Sequence, residues 1–372
     1  MRHRTGSAGF ALAVALLALV LISALLAGVF FAALQEVRLG RGALAAQRAL
    51  AASEAGLADA LAGWEPARMD GLAPWQSASF GGSLSAGTAS FSGTVTRLNA
   101  TLFLVRATGA SGEARHVVGH IVRLVPPPLD FRAALSAARR VGVGASSLLN
   151  GDDSIPAGWS CPASLPAPGL RIVDPGLVAD ADCPIGACVR GAPALAGDPS
   201  LGQALEQLDV LLAWARASAS SARTYAPGAS PPALLGPVGT ALACDSSSQA
   251  NWGEPTDPPL VAGCASFFPV VLAEGDLRIS GGRGQGVLWV QGNLDVEGGF
   301  EFRGVVLVRG TLTVRGLGGR FLGAVAASDV DLRPEGLGGR AEFRYSSCAA
   351  SAALLKNALP VPLAARGWFE EF

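Results

Sequence analysis

From Phe10 to Leu34 the chain holds no charged residue and one hydroxyl, Ser23. At about 1.5 Å per residue a helix of that length crosses a hydrocarbon core of about 30 Å. The run is longer than the roughly 7–15 apolar residues of a secretory signal, so removal by ordinary signal peptidase is the weaker reading. Arg2, His3 and Arg4 precede it and Arg38, Arg41 and Arg48 follow it. The basic residues in front favour a cytoplasmic N-terminus, an exported bulk and a single pass through the inner membrane.

The helical pattern does not stop at the end of the apolar run. From Gln35 to Trp64 there is no proline, and Leu50, Leu57, Leu61 and Trp64 fall at i, i+7, i+11 and i+14, which places four large apolar side chains on one helical face. The spacing predicts one helix over 10–64, with weak points at Gly40 and Gly42. Such a face needs a sheet or a partner to cover it; an anchor followed by a linker would not require it.

A sheet is expected directly downstream, within 65–125. GTASFSGTVTRL, ATLFLVRATG and ARHVVGHIVRL are rich in β-branched and aromatic residues and are separated by NA and ASGE, the pattern of antiparallel strands joined by tight turns. With Gly9-Phe10 at the head of the apolar run, QRALAASEAGLADAL closing the helix and LFLVRATGASGEARHVVGHIVRL as the strand pair, residues 1–125 resemble the PilX-type minor pilins and related type IV pilin-like proteins. That resemblance implies a leader peptide of residues 1–9, cut between Gly9 and Phe10 by prepilin peptidase, and an apolar helix retained to pack with neighbouring subunits. It implies other pilin-like subunits and the pilus assembly machinery as partners. Major pilins of this family carry a glutamate four residues after the cleaved phenylalanine, where this chain has Val14. A subunit without that carboxylate has no such group to pair with a neighbour's amine, which suits a tip or priming position, and equally a plain anchor.

The C-terminal third contains an internal repeat. GVLWVQGNLDVEGGFEFR (286–303), GVVLVRGTLTVRGLGGRFL (304–322) and GAVAASDVDLRPEGLGGRAEFR (323–344) align, with a partial earlier copy in VVLAEGDLRIS (270–280). Units of this size with glycine at the corners predict stacked rungs of a β-solenoid, against a β-sandwich as the alternative. Leu288, Val290, Leu294, Val296, Val306, Val308, Leu312 and Val314 are the candidate inward ladders; within VLWV either parity is apolar enough to face the core. FRAALSAARRVGVGASSLLNG (131–151) is a candidate further rung, and PPP at 126–128 a stiff joint. The fold class expected is therefore α+β: a long helix with a small antiparallel sheet, then a mainly-β region over 129–372, a short solenoid carrying a loop-rich insertion at about 152–269. Within the insertion only 198–220 has helical periodicity.

All six cysteines, Cys161, Cys183, Cys188, Cys244, Cys264 and Cys348, lie in this exported part. An even count in a loop-rich segment predicts disulfides. Cys183 with Cys188 and Cys244 with Cys264 are near in sequence, leaving Cys161 with Cys348, although six cysteines allow fifteen arrangements. A metal site is disfavoured, because there is no CxxC and His3, His116 and His120 lie far from the cysteines.

Other chemical candidates have ordinary explanations. His116 and His120 stand four residues apart on a strand, GGRGQG (281–286) lacks the lysine-serine and helix of a phosphate loop, and NGDDS (150–154) lacks a spaced series of calcium ligands. No nucleophile, base and orienting group occur together, so neither an enzyme nor a cofactor is expected. With 15% charged residues and a net charge of −1, electrostatics argue against nucleic acid, whose recognition needs a basic surface. Two functions remain: a structural subunit of a type IV filament or pseudopilus, and an uncut membrane-tethered binding or carbohydrate-active domain.

Overall fold

The computed structural model describes residues 8–84, 89–127, 129, 132–162, 164–179, 184–206, 222–240, 242–333, 340–365 and 367–371. The chain divides into two units, one formed by Met1–Gly63, Leu72–Arg123 and Pro362–Phe372, the other by Trp64–Gly71 and Leu124–Val361.

The first unit is one long helix and an antiparallel sheet. Helix α1 spans Ala8–Ala62 without a break at Gly40 or Gly42. Ala and Leu dominate it, and summed helix propensity offsets the cost of about 1 kcal/mol at each interior glycine. The helix ends before Trp64: the Gly63 amide donates to the Asp59 carbonyl (2.8 Å), and Pro66 biases Glu65 away from helical geometry. Strands β1 (Ser77–Ser83), β2 (Ser90–Arg97), β3 (Leu102–Ser111) and β4 (Ala114–Val125) follow in a meander, each antiparallel to the next. The β3–β4 hairpin turns at Gly112, whose φ of 58° suits glycine. A C-terminal strand, Trp368–Glu371, returns to pair antiparallel with β4, Trp368 opposite His120. Sequence reasoning assigned that segment to the second region and missed β1 as well.

The second unit is built on parallel pairing. Its strands are β5 (Leu135–Ala137), β6 (Val141–Val143), β7 (Leu148–Asn150), β8 (Leu170–Ile172), β9 (Val178–Ala179), β10 (Val189–Arg190), β11 (Leu195–Gly197), β12 (Ala222–Tyr225), β13 (Val270–Ala273), β14 (Leu277–Ile279), β15 (Arg283–Val290), β16 (Leu294–Val296), β17 (Phe300–Val314), β18 (Gly318–Leu332) and β19 (Arg340–Tyr345). The order β12-β13-β15-β17-β18-β19-β7-β10 runs through one sheet, parallel at every step. Val270, Val287, Val305 and Ala324 stand side by side on successive strands. The glycines that open the three sequence repeats, Gly286, Gly304 and Gly323, also stand in register. Their φ values are 107°, 131° and 146°, a region that favours glycine.

Alternation within each strand fills two cores. Leu288, Val290, Leu294, Val296, Val306, Val308, Leu312 and Val314 join one large buried cluster. Val287, Trp289, Val305 and Leu307, of opposite parity, join a second with Ala353 of helix α2 (Ser347–Leu355). VLWV is thus covered on both faces, as strands in parallel sheets usually are. Phe302, Phe321 and Phe343 align across β17, β18 and β19, with Phe321 and Phe343 stacked at 4.8 Å. The segment expected as a loop insertion contributes β8 to β12 to the sheet; its strands are two to four residues long and interrupted by glycine and proline, so they carry little periodicity. Of the helix expected over 198–220, Leu201–Glu206 is helical and 207–220 lies outside the described residues.

Candidate functional site

The first half of α1 is the most distinctive surface of the chain. Every residue from Phe10 to Leu34 is exposed, including Phe30 at 70% and Phe31 at 63%. The helix has a window of mean hydropathy 2.9 with no part buried, long and apolar enough to cross a membrane. Water around so continuous an apolar surface is costly, at roughly 25 cal/mol per Å², and lipid or other apolar helices would remove that cost. The Gly9–Phe10 bond lies in the first turn of α1, with the Phe10 side chain 77% exposed. Val14 is exposed on the same stretch.

The second half packs on the sheet through small residues. Ala49, Ala52, Ser53, Gly56, Leu57 and Ala60 are buried and recur at helical spacing. Ser53 satisfies its hydroxyl on the Leu50 carbonyl (2.7 Å). A β-carbon at Gly56 would stand 2.9 Å from the Phe91 ring of β2, and one at Gly109 of β3 would stand 2.5 Å from the Ser53 amide nitrogen. Among the residues expected on the packing face, Leu57 is buried, whereas Leu50 and Leu61 are half-buried. Trp64 is buried but lies past the helix end, off that face. The face was legible only in part, because a search for large apolar side chains overlooks alanine, serine and glycine, which allow closer approach.

His116 and His120 belong to the first unit, and His3 lies outside the described residues. His116 Nε2 lies 2.6 Å from Glu370 Oε1 of the C-terminal strand. His120 shares the face of β4 that buries Val118 and Val122. Its Nδ1 is buried with no hydrogen-bond partner among the described residues, and burial lowers its pKa. Neither histidine joins a metal cluster: among the described residues no three His, Cys, Asp or Glu side chains gather.

In the second unit, Cys161 is joined to Cys348 and Cys244 to Cys264, with Cα–Cα separations of 5.9 and 4.9 Å. Cys188 is disulfide-bonded, and Cys183 lies outside the described residues. The first bridge ties the Cys161 segment to the first turn of α2, and the Asn251 side-chain amide donates to the Cys244 sulfur (3.1 Å). NGDDS serves as a cap: Asp153 accepts from the Ser347 amide and hydroxyl, both at 2.8 Å, at the start of α2. In GGRGQG, Gln285 is buried and donates to the carbonyls of Ala265 (2.9 Å) and Phe267 (3.0 Å). The side-chain Nε2 of Gln285, within β15, is thus satisfied by protein carbonyls.

No family model matches the chain, and no curated protein does. Among solved structures, the competence-associated pilin ComZ from Thermus thermophilus is similar at 14% identity and a TM-score of 0.24, over 88% of this chain and 98% of that one. A TM-score this low carries no argument about fold or role.

Proposed function

We propose that the chain is a type IV pilin-like structural subunit. The single observation that carries this reading is the division of α1, uncovered and apolar from Phe10 to Leu34 and seated on an antiparallel sheet from Ala49 to Ala60. On this reading prepilin peptidase removes residues 1–9, and the stretch from Phe10 exchanges lipid for the helices of neighbouring subunits. Before assembly the chain crosses the inner membrane once, N-terminus inside. Val14, where a paired carboxylate would stand in a repeating subunit, favours a tip or priming position in a pilus or pseudopilus. The second unit is then a short β-solenoid displayed to the exterior, a description supported by the parallel register of Gly286, Gly304 and Gly323. No catalytic residue and no cofactor enter this reading.

A second reading keeps the span as an uncut tether for the β-rich unit. Val14 supports it equally, since an anchor needs no such carboxylate. Sequencing the mature N-terminus from native membranes, with and without active prepilin peptidase, separates the two. A start at Phe10 that depends on the peptidase, with the protein recovered in sheared filaments, supports the subunit. An intact Met1 supports the tether, and a start beyond residue 34 would overturn both.

A further inference from the structure

A groove of about 470 Å³ crosses the second unit, floored by β14, β16 and the end of β17 and walled by the loop Gly228–Ser230. The floor is built by alternation. Leu277, Leu294 and Leu312 are buried in the core and paired in register, so their neighbours on each strand face outward. Arg278, Asp295 and Thr313 form one outward row. Asp276, Asn293 and Thr311 form a second, tied by hydrogen bonds: the Asn293 amide donates to Asp276 Oδ1 (2.7 Å), and the Thr311 amide to Asn293 Oδ1 (2.8 Å).

These bonds fix the side chains and leave hydrogen-bonding capacity directed at the groove. The Asn293 Nδ2 group and the Thr311 and Thr313 hydroxyls have no partner among the described residues. In the outward row Asp295 Oδ1 lies 3.2 Å from Arg315 Nε, both atoms shielded from solvent and without a well-directed hydrogen bond.

The chemistry of this lining selects among ligands. Arg278 is paired with Glu297 (2.8 Å) and Arg315 with Asp295 (3.2 Å), and Asp276 is the one carboxylate of the lining outside these pairs, so the groove concentrates no charge of one sign to attract a polyion. No aromatic side chain lines it, so it has no platform for stacking bases. Donors and acceptors instead interleave at short range, which matches hydroxyl groups, each able to donate once and accept twice. The rows repeat at the strand spacing of about 4.8 Å, so a ligand that itself repeats can use successive rungs in the same way. We infer that the groove binds an uncharged polysaccharide laid across β14, β16 and β17. The inference concerns binding alone and holds whether or not α1 enters a filament.

Affinity electrophoresis of the full chain tests it, in micelles of a detergent without a sugar headgroup, through gels containing dextran, galactomannan or hydroxyethyl cellulose, with dextran sulfate as the charged control. Retardation by at least one neutral polymer is expected. Asp295→Asn and Thr313→Val should each weaken it by about tenfold, the scale of one or two hydrogen bonds. Both keep side-chain shape, and Thr313→Val leaves the corner hydrogen bonds intact, so an unchanged unfolding midpoint will separate lost binding from lost fold. Failure of all three neutral polymers to retard the protein overturns the inference. So does retardation by dextran sulfate alone, or equal retardation of wild type and a folded variant.

Discussion

Gly109 of β3 lies directly beneath the backbone of Ala49 in α1: a β-carbon there would overlap the Ala49 carbonyl oxygen. Backbone meets backbone at this point, so no side-chain rotation can make room. Gly109→Ala is expected to cost about 3 kcal/mol or more, the upper range for overpacking. At Gly56 the obstacle is the Phe91 ring at 2.9 Å, which can tilt, and alanine gains helix propensity of about 1 kcal/mol. Gly56→Ala should therefore be much the milder change. Urea unfolding of both variants checks the order, and a near-neutral Gly109→Ala would refute the close approach of helix and sheet.

The expected packing face gives a second comparison. Leu57 is buried and Leu61 half-buried, so Leu57→Asp should destabilise the first unit by several kcal/mol through an unpaired buried charge, and Leu61→Asp by clearly less. Thermal unfolding in the same detergent ranks them; equal effects would put the buried edge elsewhere.

The glycine column at the repeat boundaries should be intolerant of side chains. Gly304 has φ of 131°, and its β-carbon would overlap the Gly286 carbonyl oxygen and stand 3.0 Å from Ala353 Cβ. Gly304→Ala combines backbone strain with a clash, and a loss of about 3 kcal/mol or more is expected. Gly202→Ala, where a β-carbon meets nothing within 4 Å and φ lies outside the left-handed region, is the matched control and should be near neutral. Circular dichroism melts of the two variants test the contrast.

Removal of each disulfide should have unequal effects. Cys161–Cys348 closes a sequence separation of 187 residues and Cys244–Cys264 one of 20. On chain entropy the longer loop contributes about 5 kcal/mol and the shorter about 3. Paired Cys→Ala variants, compared by denaturant midpoint under oxidising conditions, should preserve that order.

His120 makes the first unit sensitive to mild acid. Burial holds its folded-state pKa below the ordinary value of about 6.5, so the unfolded chain takes up a proton first as pH falls. Stability from this group should then decline below about pH 6.5 and level off once the folded-state pKa is passed. His120→Leu should flatten that part of the curve, measured by urea midpoints between pH 5 and 8.

Much of the architecture was legible because it is written in period. The apolar run, the β2–β4 meander and the repeats opening at Gly286, Gly304 and Gly323 all recur at spacings that local sequence displays. What escaped depends on partners remote in the chain or on small residues. WFEE becomes a strand only because β4 is present to pair with it, and Glu370 meets His116 only through that pairing. The short strands from β8 to β12 gain their hydrogen bonds from parallel neighbours, which no window of a few residues displays. In α1 the large leucines suggested a face, while Ala49, Ser53 and Gly56 set the distance of approach. The groove was invisible for the same reason: Asp276, Asn293 and Thr311 are one row only after three strands have stacked.

The C-terminal strand gives the chain an order of completion. Trp368–Glu371 leaves the ribosome after every other strand described, yet it pairs with β4 and supplies the partner of His116. Until it arrives, the stretch of β4 from Val117 to His120 lacks its second neighbour, an edge open to pairing with other extended chains. The helix and β1–β4 are thus synthesised before β5–β19, and their sheet gains its last strand only after them.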